Sequence, residues 1–385
     1  MYIKNDTPLV QEMTSFRHDI HAHPELAYNE FRTAQKVKEK LLTLNMDEIH
    51  EEWATTGIVA VLKGKNPESR HIGLRADMDA LPMHEKNQCS HRSTYDGKMH
   101  ACGHDGHTTM LLTAVCWLSE HRDFEGTLYF IFQPAEENEG GARVMVEEEH
   151  FFDAFPIEEI YGMHNWPKLG LGKFAVHQGP VMAAMDTFEI NITGFGGHGG
   201  IPNLTNDPII PATQLVSAFQ SIVSRNLSPV DAGVISVTQI NAGDSFNIIP
   251  DKVEMKGTVR TFSDATQALI IKRMTEICAG FELSYGVNIE FIFNRCLPAT
   301  VNNPNNANKC IDALNGLIGS DNIVTDLDPS MGAEDFSYFL RKKPGAYIWI
   351  GNGDESASLH NPHYDFNDSN IALGANYWIA LAQGA

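Results

Sequence analysis

TLYFIFQPAEENEGGA, residues 127–142, opens as an apolar run, stops at Gln133-Pro134 and presents two adjacent glutamates, Glu136 and Glu137, at its mouth. A short aromatic and β-branched run bounded by proline and glycine reads as a buried strand rather than a helix. Carboxylates beside such a strand are costly to bury unless something cationic meets them. Neighbouring residues on an extended backbone face opposite ways, so one glutamate could grip a cation while the other faces a substrate. A solvated acidic loop is the competing reading, and Glu139 and Glu147 to Glu149 would fit it.

Working outward from this strand, residues 7–180 alternate helical and strand patterns. Leu9, Met13, Phe16 and Ile20 recur at helical spacing, as do Phe31, Ala34, Val37 and Leu41/Leu42. Short apolar runs follow: GIVAVL (57–62), HIGLRADM (71–78), IEEIYGMH (157–164) and LGKFAV (171–176), with a helix-like segment at 108–121. Alternation of this kind predicts an α/β layer, a mixed sheet flanked by helices. From about 186 to 300 the pattern changes. DTFEINITG alternates cleanly, and strands and helices then follow in the order β-α-β-β-α-β, with Ser263 as the expected N-cap of the second helix. That order predicts a small ferredoxin-like α+β domain, a four-stranded antiparallel sheet with two helices on one face. Residues 301–385 return to helix and strand alternation. The expected organisation is therefore one domain from 1–185 and 301–385 with 186–300 inserted. VNNPNN (301–306) and GPVMAAM (179–185) are the expected hinges.

Composition narrows the function classes. The formal charge is −21, from 28 basic and 49 acidic residues, and no Lys/Arg-rich run offsets it. This argues against a phosphate-backbone partner and for a small ligand. No apolar run approaches the ~20 residues of a membrane span, and the first residues carry no apolar signal region. The six cysteines show no paired spacing, so reduced thiols and a cytoplasmic location are expected.

Further candidate ligands recur at polar positions beside strand ends. In MHACGHDGH (99–107), Cys102 and His104 are two apart and leave the same face of an extended segment. The helix beginning just after them favours a thiolate at its N-terminus. His164 ends the strand in YGMHNWP (161–167), and His360 and His363 sit in the polar loop SLHNPHYDFND (358–368). Each alone also reads as a hydrogen-bonded loop or core residue. Together they follow one rule, that ligands in open α/β sheets collect beyond the carboxyl ends of the strands. A mixed Cys, His and Glu set matches Zn²⁺ or Mn²⁺. Asp77 and Asp79 share a face and could orient a ligand histidine. The histidines of RHDIHAHPE (17–25) are read as surface or turn residues, since His18 and His21 lie away from the Met13, Phe16 and Ile20 face.

DMDALP, MHACGHDGHTTMLL, FQPAEENEGGARVMVEE, MHNWP, GGHGGIP and GAEDFSYF, in that order, resemble peptidase family M20 from about residue 10 onward. The match is to its amidohydrolase branch (subfamily D), which includes hippurate hydrolases, auxin-conjugate hydrolases and N-acetyldiaminopimelate deacetylases. The resemblance implies a catalytic domain with two divalent ions (Zn²⁺ or Mn²⁺) and an inserted lid domain that forms a homodimer, with a larger assembly as the alternative. It implies metal ligands at Cys102, His104, Glu137, His164 and His360, and a general base at Glu136. Many members carry a His-x-Asp motif where this chain reads Asp77-Met78-Asp79, a difference shared by the amidohydrolase branch.

The implied reaction is hydrolysis of an N-acyl (aroyl or acetyl) amino acid by a metal-activated water, with Glu136 moving the proton. His198, in the glycine-rich GFGGHGGIP, could stabilise an oxyanion. Asn247 and Arg260 could hold the substrate carboxylate, although Arg260 also fits an exposed face shared with Lys252 and Lys256. A dipeptidase or carboxypeptidase on the same scaffold is the nearer alternative. A structural zinc site is the farther one, disfavoured because a spare glutamate adjoins a ligand.

Overall fold

The structure, a computed structural model, describes residues 2–137 and 140–384. Glu139, part of the acidic-loop reading, lies outside the described residues. The chain divides into two compact units. The first comprises Met1–Val181, Val301–Asp328 and Asp335–Ala385; the second comprises Met182–Thr300 and Pro329–Glu334. The return of Pro329–Glu334 to the second unit has no counterpart in the sequence reading.

The first unit is built on an eight-stranded mixed sheet. Its strands include β1 (Glu48–Trp53), β2 (Gly57–Lys63), β3 (His71–Asp77), β4 (Thr127–Gln133) and β5 (Glu159–Pro167). The order runs β1-β2-β4-β3-β5, continuing through Gly345–Gly353, Phe174–Ala175 and Ile323–Val324. β3 pairs parallel with both β4 and β5, so the carboxyl ends of these three strands share one edge. β4 is buried along its whole length, as its unbroken apolar run requires. Helices α1 (Pro8–Ala22), α2 (Phe31–Leu42) and α3 (His104–Glu120) cover the sheet with Asn370–Gln383. α3 is buried nearly all round, consistent with its weak amphipathic pattern.

Two local expectations are corrected, and one strand had no counterpart among them. Phe31 and Leu42 are 60% and 63% exposed, and α2 instead buries Thr33, Val37 and Leu41. LGKFAV contributes only the two-residue strand Phe174–Ala175. β1 was missed because Glu48, Glu51 and Glu52 break its apolar alternation while backbone pairing to β2 holds it in the sheet.

The second unit holds an antiparallel sheet in the order Gly233–Ala242, Lys252–Thr261, Ala184–Thr193, Asn288–Leu297. Phe188, Ile190 and Ile192 share one buried face with Val253, Met255 and Val259. Leu215 and Phe219 of helix Ile209–Ser221, and Ile270 and Met274 of helix Asp264–Tyr285, belong to the same core. The Ser263 hydroxyl caps the second helix by accepting from Thr266 N at 3.2 Å. Among the described residues, no helix is long and apolar enough to cross a membrane.

Candidate metal centre

The shared edge of β3, β4 and β5 gathers residues far apart in sequence. β3 ends at Asp77, the chain beyond β4 carries Glu136 and Glu137, β5 contributes His164, and α3 starts at His104. The turn into α3 passes through Gly103 at φ +94°, where a Cβ would lie 2.3 Å from the Asn165 amide nitrogen. Only glycine fits this turn, which sets Cys102 and His104 on either side of it.

Cys102 Sγ stands 3.3 Å from His164 Nε2. Ligand atoms of Cys102, His104 and His164 lie within 4.8 Å of one another, as do those of Cys102, Glu137 and His360, and those of His104, Glu136 and Glu137. His360 comes from the 358–368 loop, held at φ +59° with its N–H donating to Ala101 O at 2.9 Å. Its Nε2 lies 3.1 Å from Glu137 Oε1. Cys102, His104, Glu136, Glu137, His164 and His360 are thus brought into one cluster.

Hydrogen bonds set which imidazole nitrogens face inward. His104 Nδ1 donates to Asp79 Oδ1 at 3.1 Å, and His104 Nε2 is buried without a hydrogen bond among the described residues. His164 Nδ1 donates to the Asn165 carbonyl at 2.6 Å, which turns Nε2 toward Cys102. His107 differs, since Nδ1 is bonded to Asp77 Oδ1 at 2.6 Å and Nε2 accepts from Asn165 N at 2.9 Å. Asp77, His104 and His107 also cluster within ligand distance. With both nitrogens of His107 engaged, however, His104 Nε2 is the ring nitrogen left to meet a cation.

Two buried aspartates prepare the cluster. Asp79 orients His104 through one oxygen and accepts from Glu137 N at 2.9 Å through the other. Asp77 is held by Arg75 Nη1 at 2.7 Å, while Arg75 Nη2 donates to Asp335 Oδ1 at 2.9 Å. Burial would raise the Asp77 pKa, but His104, His107 and Arg75 hold it well below the usual carboxylate range. Burial opposes charge on His104, yet Asp77 and Asp79 bring its pKa up to about 10. Burial, then the charges of Glu137, Glu136 and Asp77, push the Cys102 thiol far up. A cation at this point would reverse the balance by stabilising the thiolate. A thiol, inward-facing imidazole nitrogens and carboxylates in one cluster fit a divalent ion such as Zn²⁺, which would displace the ring protons. Asp79→Ala is expected to lower metal affinity or turnover by roughly 10–100-fold, measurable by metal titration of the purified variant.

The RHDIHAHPE reading is corrected at His21. Its side chain is fully buried, bonded to Asp105 Oδ2 at 2.9 Å and facing Glu85 Oε1 at 3.3 Å. Arg17, one turn earlier, is also buried and donates to Asp105 Oδ2 at 2.9 Å. His18 and His23 are partly exposed, and His23 caps α1. Burial opposes the His21 charge, but Asp105 and Glu85 raise its pKa to about 9. A raised pKa stabilises the fold fully below the unfolded value near 6.5, and that contribution is lost as pH rises through about 9. The loss is expected to be on the order of 3 kcal/mol. Urea unfolding of wild type and His21→Gln at pH values either side of this window checks it, since the variant lacks that pH dependence.

In the second unit, His198 pairs with Ile248 across a two-stranded ladder, and Gly199 N donates to Asn247 O at 2.8 Å. His198 and Asn247 are therefore neighbours, and both side chains are exposed. Arg260 shares its strand face with Lys252 and Lys256 but is half-buried, with Nη1 reaching Val259 O at 3.2 Å. Burial lowers its pKa.

The fold, the cluster and the relatives this chain matches make it a metal-dependent hydrolase acting on amides. Residues 73–384 match peptidase family M20/M25/M40, and the chain belongs to family M20. It is 40% identical to a hippurate hydrolase of Campylobacter jejuni over 371 residues, covering 96% of each chain. It is 38% identical to an N-acetylcysteine deacetylase of Bacillus subtilis over 372 residues, again 96% of each. The crystal structure of Bacillus subtilis YxeP, described as a dinuclear metal-binding peptidase of family M20, superposes with a TM-score of 0.86. That match is at 34% identity and covers 98% of both chains.

Proposed function

We propose that this chain cleaves N-acyl (aroyl or acetyl) amino acids to a carboxylic acid and a free amino acid, using two divalent ions, Zn²⁺ or Mn²⁺. The observation that carries the reading is the pairing of Glu136 with Glu137 beside His104, His164 and Cys102. Both glutamates lie within ligand distance of His104; Glu137 is assigned to the ligand set, which it also joins with Cys102 and His360, and Glu136 to proton transfer. Cys102, His104, Glu137, His164 and His360 would hold the ions. When bound, these ions supply Lewis-acid charge that acidifies water and polarises the acyl carbonyl.

The remaining steps fall to side chains. Glu136 accepts the proton of the attacking water and delivers it to the leaving amine. Its carboxylate lies 3.8 Å from His104 Nε2, close enough to serve the same centre. Asp79 and the Asn165 carbonyl hold the His104 and His164 rings so that little reorganisation accompanies the reaction. His198 is assigned to the oxyanion, and Asn247 and Arg260 to the substrate carboxylate. The second unit is assigned as lid and homodimer contact. Six free cysteines suit the cytoplasm.

The test is release of free amino acid from hippurate and N-acetyl amino acids, run beside a dipeptide panel with and without chelator. Chelator-sensitive release from the N-acyl compounds is expected. Release from dipeptides alone would replace this reading with a dipeptidase.

A further inference from the structure

Glu30 is a fully buried carboxylate with no part in the ligand set or in the proton transfer described above. It precedes α2 and turns back toward the end of β4. Its Oε1 accepts from Ala135 N at 2.9 Å and its Oε2 accepts from the Thr56 hydroxyl at 2.7 Å. Thr56 is itself buried, just before β2. Burying a carboxylate is expensive, and one amide and one hydroxyl offset only part of that cost. What the arrangement secures is the backbone immediately before Glu136.

That backbone needs holding. Ala135 stands at φ +56°, a left-handed conformation that alanine rarely adopts. Its N–H is taken by Glu30 and its carbonyl accepts from Gly141 N at 2.9 Å. On the other side of Glu136, the Glu137 N–H is taken by Asp79 Oδ2 at 2.9 Å. Two buried carboxylates thus fix the amide groups on either side of one glutamate.

We propose that Glu30 is a positioning residue for Glu136, fixing the strained Ala135 amide and with it the direction in which Glu136 leaves the chain. The proposal rests on Glu136 as the proton-transfer group. Asp79 reaches both a ligand histidine and Glu137, so its loss disturbs metal binding. Among the described residues Glu30 makes no hydrogen bond to a ligand side chain, so its loss is felt in the chemical step.

The test compares Glu30→Ala, Glu30→Gln and Thr56→Val as metal-loaded enzymes on an N-acyl amino acid. The measurements are kcat, KM, metal content and the urea midpoint. Glu30→Ala is expected to lower kcat about 100-fold, the scale of a small misplacement of a reacting group, with KM within about threefold and metal content unchanged. Glu30→Gln keeps an oxygen for Ala135 N and recovers most of kcat even where its urea midpoint is lowered. Thr56→Val frees one carboxylate oxygen and lowers kcat several-fold. Should Glu30→Ala fail to fold, the Gln and Val variants decide. Unchanged kcat in Thr56→Val, or a kcat for Glu30→Gln as low as that of Glu30→Ala, overturns the proposal. So does a loss of activity that follows metal content or the folded fraction alone. Retained turnover in Glu136→Gln removes the underlying assignment instead, and is distinguished by that variant.

Discussion

Replacing Glu136 by glutamine is expected to lower turnover of an N-acyl amino acid by about 10²–10⁴-fold or more, the range general acid–base groups contribute, while the protein keeps its full metal content. The amide matches the carboxylate in size and still receives hydrogen bonds, but it cannot accept a proton at neutral pH. Glu136 Oε2 lies 3.8 Å from His104 Nε2, and Glu136 clusters with His104 and Glu137 within ligand distance. The same variant therefore separates two roles. Loss of turnover with metal retained makes Glu136 the proton carrier. Loss of one metal equivalent makes it a ligand, and retained turnover removes it from the mechanism. Kinetic assay beside elemental analysis of one sample reads all three results.

The second large effect concerns the cations. Stripping them with a chelator is expected to abolish turnover and to lower the unfolding midpoint. Cys102, Glu136, Glu137 and Asp77 stand close together with His104 and His164, in surroundings that push the Cys102 thiol far up when no cation is present. A cation that binds only the folded chain stabilises it by about 4 kcal/mol for each ion present at a thousandfold its Kd. Two such ions would move the thermal midpoint by something on the order of 10 °C. Readdition of Zn²⁺ or Mn²⁺ restores both properties. An unchanged midpoint after verified metal removal would mean that the cluster is held by its own hydrogen bonds alone.

What the sequence made legible was local. β4 could be read because a strand buried on both faces leaves an unbroken apolar run, and Glu136 and Glu137 could be read because carboxylates are conspicuous at its end. The antiparallel sheet of the second unit was legible for the opposite reason, since Phe188, Ile190 and Ile192 alternate with polar residues facing solvent. What stayed hidden depended on distant partners. Arg17 and His21 lie on the buried arc of α1 with Val10, Met13 and Ile20, but both are polar, and nothing nearby in sequence shows that Asp105 and Glu85 wait there to pair with them. Glu30 looks like an ordinary acidic residue at a helix start; its partners are at Thr56 and Ala135. Spacing favoured His104 over His107, but the physical difference between them, where each ring's nitrogens are bonded, is tertiary. Charge burial depends on distant partners, and an amphipathic pattern does not name them.

In the proposed reaction, two divalent ions held by Cys102, His104, Glu137, His164 and His360 make this chain an N-acyl-amino-acid hydrolase. The most direct test is to titrate Zn²⁺ or Mn²⁺ into the metal-free protein while following release of free amino acid from hippurate and an N-acetyl amino acid. Turnover that rises with bound metal and levels off at about two ions per chain is the predicted result. Turnover that is independent of metal, or that reaches its plateau with the cluster residues replaced, would contradict it.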